Sequence, residues 1–150
     1  MMFASEVIEK ITMINTLVPQ ENLIVGGQPT ADDLRMMKLM GISQVINLRP
    51  STEPIDFDEV SLLKELGMQY HLIPVTTITT FTKAAALRLT EILKLHEPTL
   101  LHCASGNRVG ALIALKGFWC NALTAQESLE QGLQAGLTKL APQVREILGL

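Results

Sequence analysis

Cys103 and Arg108 stand with four residues between them in the stretch His102-Cys103-Ala104-Ser105-Gly106-Asn107-Arg108-Val109-Gly110. An apolar Thr99-Leu100-Leu101 precedes it and Ala111-Leu112-Ile113-Ala114-Leu115 follows, so the pattern predicts strand, loop and helix. The backbone N–H groups of Ala104 to Val109 then have no partner inside the helix and can converge on an anion, helped by the positive end of the helix dipole. The same field, with Arg108 added, should stabilise a thiolate at Cys103 and make it a nucleophile. Arg108 offers a planar fork of donors suited to a tetrahedral oxyanion. The predicted catalytic pair is Cys103 and Arg108, with Ala104, Ser105, Gly106, Asn107 and Val109 as the anion-binding loop.

Several neighbours have two readings. His102, the last strand residue, should point away from the loop and hydrogen-bond within the core. Ser105 either hydrogen-bonds the thiolate or closes the turn. Asn107 either takes a left-handed conformation or contacts the ligand. Arg49 supplies a second anion contact or pairs with Glu53. The threonines of Thr76-Thr77-Ile78-Thr79-Thr80 cap a turn or recognise substrate.

The elements that must position these residues alternate in type. Residues 5–14 carry Val7, Ile8, Ile11 and Ile14 at helical spacing behind Ser5 as an N-cap. Leu23-Ile24-Val25-Gly26-Gly27 reads as a strand, and Gln28-Pro29 turns the chain. A helix runs from Thr30, Asp32 and Asp33 to Met40, ended by Gly41. Residues 44–49 form a second strand, 56–66 a helix with Val60, Leu63 and Leu66 on one face, and 69–75 a third strand. A helix over 81–96 buries Ala85, Leu89, Ile92 and Leu93. The fourth strand enters the cysteine loop, a helix follows at 109–121, and Thr124-Ala125-Gln126-Glu127 is a capping box for the next. A short helix from Pro142 closes the chain.

Strand–helix alternation calls for right-handed crossovers. The expected fold is α/β, a mainly parallel sheet of four to five strands flanked by helices in one domain, 1–150. Ligands of such sheets bind beyond the carboxyl ends of the strands, where Gln28, Arg49, Glu53, Thr76, Thr77 and Cys103 all fall.

Composition excludes other classes. The 150 residues are 47% hydrophobic and 18% charged, with net charge −3, which suits a packed core and argues against nucleic-acid binding. Two cysteines make no disulfide framework, and Cys120 reads as a small buried hydrophobe roughly 18 Å along the helix from the loop. No Cys/His cluster supplies a metal, and no cofactor is expected. The acidic start is not a secretory signal, and Lys116 interrupts the best apolar run, so no membrane span is expected. A cytoplasmic location follows, or a periplasmic one where a signal has been removed.

The His-Cys-x-x-Gly and Arg pattern resembles the signature of the cysteine-dependent, protein-tyrosine-phosphatase-like superfamily. Gly27-Gln28-Pro29, Gly41-Ile42-x-x-Val45-Ile46-Asn47-Leu48-Arg49 and Tyr70-x-x-Ile73-Pro74-Val75 narrow it. Over roughly 22–121 the chain is similar to the bacterial family labelled beta-lactamase hydrolase-like, whose members are also described as sulfur transferases. The resemblance implies a dual-specificity-phosphatase type of fold, a cysteinyl nucleophile at Cys103 and an anion-binding arginine at 108. The departures are specific. Standard phosphatases of this kind place five residues between cysteine and arginine, follow the arginine with Ser or Thr, and carry an Asp after the third strand. Here there are four, then Val109, and residues 76–82 hold no acid. Glu53, Asp56 or Asp58, on the preceding crossover, could reach in to replace it.

The expected function is a phosphatase hydrolysing a phosphomonoester through a cysteinyl-phosphate, on a small phosphorylated anion or a phosphoprotein. The alternative is a rhodanese-like sulfurtransferase with a persulfide on Cys103, for which a six-residue cysteine loop is the family habit. A non-catalytic anion-binding module is the third reading.

Overall fold

The computed structural model describes residues 8–150. Five strands form one sheet: β1 (Leu17–Gln20), β2 (Leu23–Gly26), β3 (Gln44–Asn47), β4 (Gln69–Leu72) and β5 (Thr99–His102), in the order β1-β2-β5-β3-β4. β2, β5, β3 and β4 are parallel, with Val25 beside Leu101 and Ile46 beside Leu101 across the centre. The edge strand β1 is antiparallel to β2 and lies where no strand was expected. Its short Leu-Val-Pro-Gln sequence fits an edge, where Pro19 need not donate to the ladder.

Among the described residues, six helices cover the sheet: α1 (Ala31–Leu39), α2 (Glu59–Glu65), α3 (Lys83–Leu93), α4 (Asn107–Cys120), α5 (Ala125–Gln134) and α6 (Ala141–Leu148). Most starts carry the expected chemistry. Thr30 with Asp33, and Thr124 with Glu127, are reciprocal capping boxes, and Thr82 caps α3. α2 starts at Glu59 rather than 56 because Asp58 accepts from the Ser61 N–H and fixes the cap there. Its inward face is accordingly Glu59, Leu62 and Leu63, while Val60, expected inside, is exposed.

The expected helix at 5–14 begins outside the described residues. From residue 9 onward the chain is turn and irregular backbone. Asp33 accepts from the Thr12 N–H at 2.8 Å and from the Thr12 hydroxyl, which takes Thr12 out of any helical ladder.

Strand alternation divides the core into two layers. Leu23, Val25, Ile46 and Leu101 face α3 to α6, packing on Leu89, Leu112, Leu129 and Val144. Ile24, Val45 and Leu100 face α1 and α2, packing on Leu34, Met37 and Leu63. Truncating one such fully buried leucine to alanine costs about 2–5 kcal/mol. The same parity sends Cys103 to the α4 side and His102 to the α2 side. That split sets the site.

Candidate active site

At the carboxyl end of the sheet, β5 gives way to the cysteine loop, which enters α4 through Gly106 at φ 96. Glycine takes this left-handed cap without a Cβ penalty, so the residue in that conformation is Gly106 and not Asn107. The geometry turns the Gly106 N–H onto Cys103 Sγ at 3.1 Å. Cys103 is buried, 1% exposed. The donor on its sulfur is therefore a backbone amide rather than the Ser105 hydroxyl. Ser105 closes the turn, its carbonyl accepting from Asn15 Nδ2 at 2.7 Å. Gly27 lets the β2 loop lie against the cysteine loop, since a Cβ there would fall 2.5 Å from Ala104 O, and Gln28 N–H donates to that carbonyl at 3.0 Å.

Asn107 opens α4, and its side chain turns away from the site. Its Oδ1 accepts from the Thr138 and Leu140 N–H groups, at 3.1 and 3.0 Å, and from the Thr138 hydroxyl at 3.3 Å. Its Oδ1 is thereby committed to the downstream segment, and its backbone N–H lies in the first turn of α4. Val109 is fully buried and presents only backbone too. The first-turn N–H groups of α4, from Asn107 to Val109, precede the first helical donor, Gly110, which bonds Gly106 O.

Arg108 approaches from the side. Its Nη1 and Nη2 donate to the two carboxylate oxygens of Glu53, each at 2.8 Å, and Nη1 also reaches Val75 O at 2.9 Å. This bidentate fork holds the guanidinium above its already high ordinary value, and the neighbouring Cys103 sulfur adds to the push. Reciprocally, Arg108 foremost and then Arg49 hold Glu53 below the usual carboxylate range, against a smaller opposing effect of burial. Arg49 forms the ion pair with Glu53. Its Nε meets Glu53 Oε1 at 3.1 Å, Nη1 donates to Gln28 Oε1 at 2.7 Å and Nη2 to Pro54 O at 3.0 Å.

Behind the loop lies a sealed pair. His102 Nε2 and Glu59 Oε2 are 2.7 Å apart, with side chains 0% and 2% exposed. His102 Nδ1 lies 3.2 Å from Cys103 O. Burial pushes Glu59 up, but the His102 hydrogen bond and charge, with Gln28 and Arg49, outweigh it and hold the carboxyl below its ordinary value. His102 lies buried in the core as strand alternation predicts, whereas Glu59 was not among the predicted site residues. The signal was there: residues 59, 62, 63 and 66 share one helical face, and a carboxylate among leucines needs a buried partner.

The acid candidates resolve unequally. Glu53 is paired with two arginines, Asp58 caps α2 with its carboxyl held low foremost by the Ser61 backbone N–H, and Asp56 is exposed. The threonines close a 3₁₀ turn at Ile78–Thr80, with the Thr80 hydroxyl donating to Thr77 O and accepting from Thr76 N–H, which is the turn reading.

A cavity of about 270 Å³ opens beside Arg49 and Glu53, walled by Phe57, Glu59 and Tyr70. A cleft of about 290 Å³ at the other end of the sheet, lined by Leu23, Leu93, Lys116 and Asn121, contains none of the loop residues. Among the described residues no helix is long and apolar enough to cross a membrane, and no cluster of three or more metal-ligating side chains occurs.

Known proteins share this arrangement of elements. No family model matches the chain. A beta-lactamase hydrolase-like protein of Xylella fastidiosa (strain Temecula1 / ATCC 700964) is 34% identical over 101 residues, 63% of this chain and 23% of that protein. The protein of the same name from Agrobacterium fabrum is 29% identical over 99 residues. The chain thus spans about a quarter of the length of these curated relatives, which carry the name the sequence motifs pointed to. A DUF442 protein from Shewanella putrefaciens CN-32 superposes with a TM-score of 0.70 at 18% identity, covering 97% of each chain. Tk-PTP in its active form gives 0.68 at 16%, covering 89% of this chain and 95% of its own. The core catalytic domain of the PP-IP phosphatase SIW14 from S. cerevisiae gives 0.66 at 16%, covering 91% and 86%. The fold is that of the protein-tyrosine-phosphatase-like proteins.

Proposed function

We propose that this chain is a cysteine-dependent phosphatase acting on a phosphomonoester, either a small phosphorylated anion or a phosphoprotein. One observation carries the reading: Cys103 Sγ accepts the Gly106 N–H at the head of α4, with Arg108 one residue inside that helix. The Cys103 thiolate attacks phosphorus, forming an S–P bond as the P–O bond to the ester oxygen breaks, and a carboxylic acid that no residue here is assigned to supply protonates the departing oxygen. The first-turn amides and Arg108 neutralise the charge on the transferring oxygens. Water then attacks the cysteinyl-phosphate, and phosphate and the thiolate are regenerated.

A second reading, sulfur transfer, is favoured by the state of the carboxyls. Glu53 and Glu59, the two tied into the site, are both held ionised, and an ionised carboxylate donates no proton to a leaving alkoxide. Thiosulfate needs none: Cys103 takes the outer sulfur, sulfite departs as an anion, and cyanide removes the sulfur from the persulfide as thiocyanate. The fold weighs towards phosphatase, since the superposed structures include a PP-IP phosphatase and Tk-PTP.

The test assays wild type beside Cys103→Ser for para-nitrophenyl phosphate hydrolysis and for thiocyanate formation from thiosulfate and cyanide. The expected result is Cys103-dependent phosphate release. Thiocyanate formation alone would replace this reading with sulfur transfer, and no turnover of either kind would leave an anion-binding module.

A further inference from the structure

Seven hydrogen bonds, six between side chains and the last to Cys103 O, join the two residues that flank the loop. From Arg108 the path runs through Glu53 by two bonds at 2.8 Å, then to Arg49 at 3.1 Å, Gln28 at 2.7 Å, Glu59 at 2.7 Å and His102 at 2.7 Å, and ends on Cys103 O at 3.2 Å. The members come from the β2–α1 and β3–α2 loops, from α2, from the end of β5 and from the first turn of α4, so no single element holds them. Every member but one is charged or can be. The exception is Gln28.

Gln28 occupies a place that needs a group able to accept on one side and donate on the other. On one side Arg49 can only donate, and on the other the ionised Glu59 can only accept. The carboxamide meets both at once, its Oε1 on Arg49 Nη1 and its Nε2 on Glu59 Oε1, with a further bond to Pro29 O at 3.1 Å. A carboxylate at 28 would set two anions face to face, and an apolar side chain would leave an arginine and a buried glutamate each one bond short.

We propose that Gln28 is a positioning residue whose amide locks the half of the site holding Arg108 to the half holding His102, and so fixes the cysteine loop between them. This rests on the reading of Cys103 as nucleophile and Arg108 as anion ligand, and it adds a residue that touches neither the sulfur nor the substrate. Misplacing a reacting group by about 1 Å can cost on the order of a hundredfold in rate. Loss of the amide should therefore lower kcat more than it raises KM.

Three variants test it: Gln28→Met, Gln28→Glu, and the paired exchange Gln28→Glu with Glu59→Gln. The exchange swaps amide and carboxylate across their shared hydrogen bond and can keep every bond of the path, losing only the one to Pro29 O. Each protein is assayed with para-nitrophenyl phosphate for kcat and KM, with iodoacetamide for the alkylation rate of Cys103 read by peptide mass, and by thermal melting. Gln28→Met should lose about ten- to a hundredfold in kcat with KM within threefold, and its Cys103 should alkylate at a different rate while the melt stays cooperative. Gln28→Glu should be worse, and the paired exchange should recover most of the loss. Wild-type kcat and alkylation in Gln28→Met, or a paired exchange no better than Gln28→Glu, would overturn the proposal. If wild type itself releases no phosphate, the phosphatase reading fails, and the alkylation rates across the same variants still decide the role of Gln28.

Discussion

Two acid–base pairs flank the cysteine loop and differ in what surrounds them. Arg108–Glu53 lies at the mouth, with side chains 15% and 27% exposed, while His102–Glu59 is sealed beneath at 0% and 2%. Water screens the first pair and can replace either partner, so an arriving anion can share Arg108 with Glu53 at little cost. A part-buried pair that keeps access to water is worth on the order of 1 kcal/mol. The sealed pair has no such substitute. Removing one partner of a buried pair strands the other and costs about 3–5 kcal/mol. One pair is built to exchange and the other to stay.

The comparison can be broken most forcefully at Glu59. Glu59→Leu should lower unfolding free energy by about 3–5 kcal/mol in urea titration, and a loss below 1 kcal/mol would remove the distinction. Adding His102→Leu should return most of that stability, because two well-packed apolar side chains replace a buried pair at little net cost, while phosphate release stays low. Arg108→Lys should do the opposite, lowering kcat/KM about 10²–10³-fold with a melting temperature close to wild type. Acid should separate the pairs as well. The fold holds both glutamates below their ordinary values, so their contribution is complete above the unfolded carboxyl range and is lost as pH falls through the folded values. Urea titrations from neutral to acid pH should show that loss almost unchanged in Glu53→Gln and reduced in the double leucine variant. The smallest effect belongs to Glu53→Gln at neutral pH, within about 1 kcal/mol of wild type.

The two halves of this contrast were unequally legible in the sequence. Cys103, Gly106 and Arg108 are close in the chain and their spacing carries the chemistry, so the loop could be read directly. His102 could be placed by strand alternation alone. Glu59 was missed, because its partner is 43 residues away and the inward face was drawn through Val60 instead of Glu59. Glu53 was recognised as a group near the site and as a partner for Arg49, but its fork with Arg108 spans 55 residues and leaves no periodic trace. β1 escaped for a related reason: an edge strand of four residues containing a proline shows no alternation to read. What local spacing encodes was visible, and what the meeting of separate loops creates was not.

The head of α4 is also clamped from behind by chain that lies far downstream. Asn107 fastens the segment from Thr138 to Leu140, and Gly110 sits so close beneath it that an added Cβ would come within 2.1 Å of Leu137 N. The likeness to the bacterial relatives read from the motifs ends near residue 121, yet the loop's backing continues through residue 140. A chimera spliced at the end of α4, or a fragment trimmed there to a minimal catalytic unit, would carry the whole signature and lose the wall that shapes it.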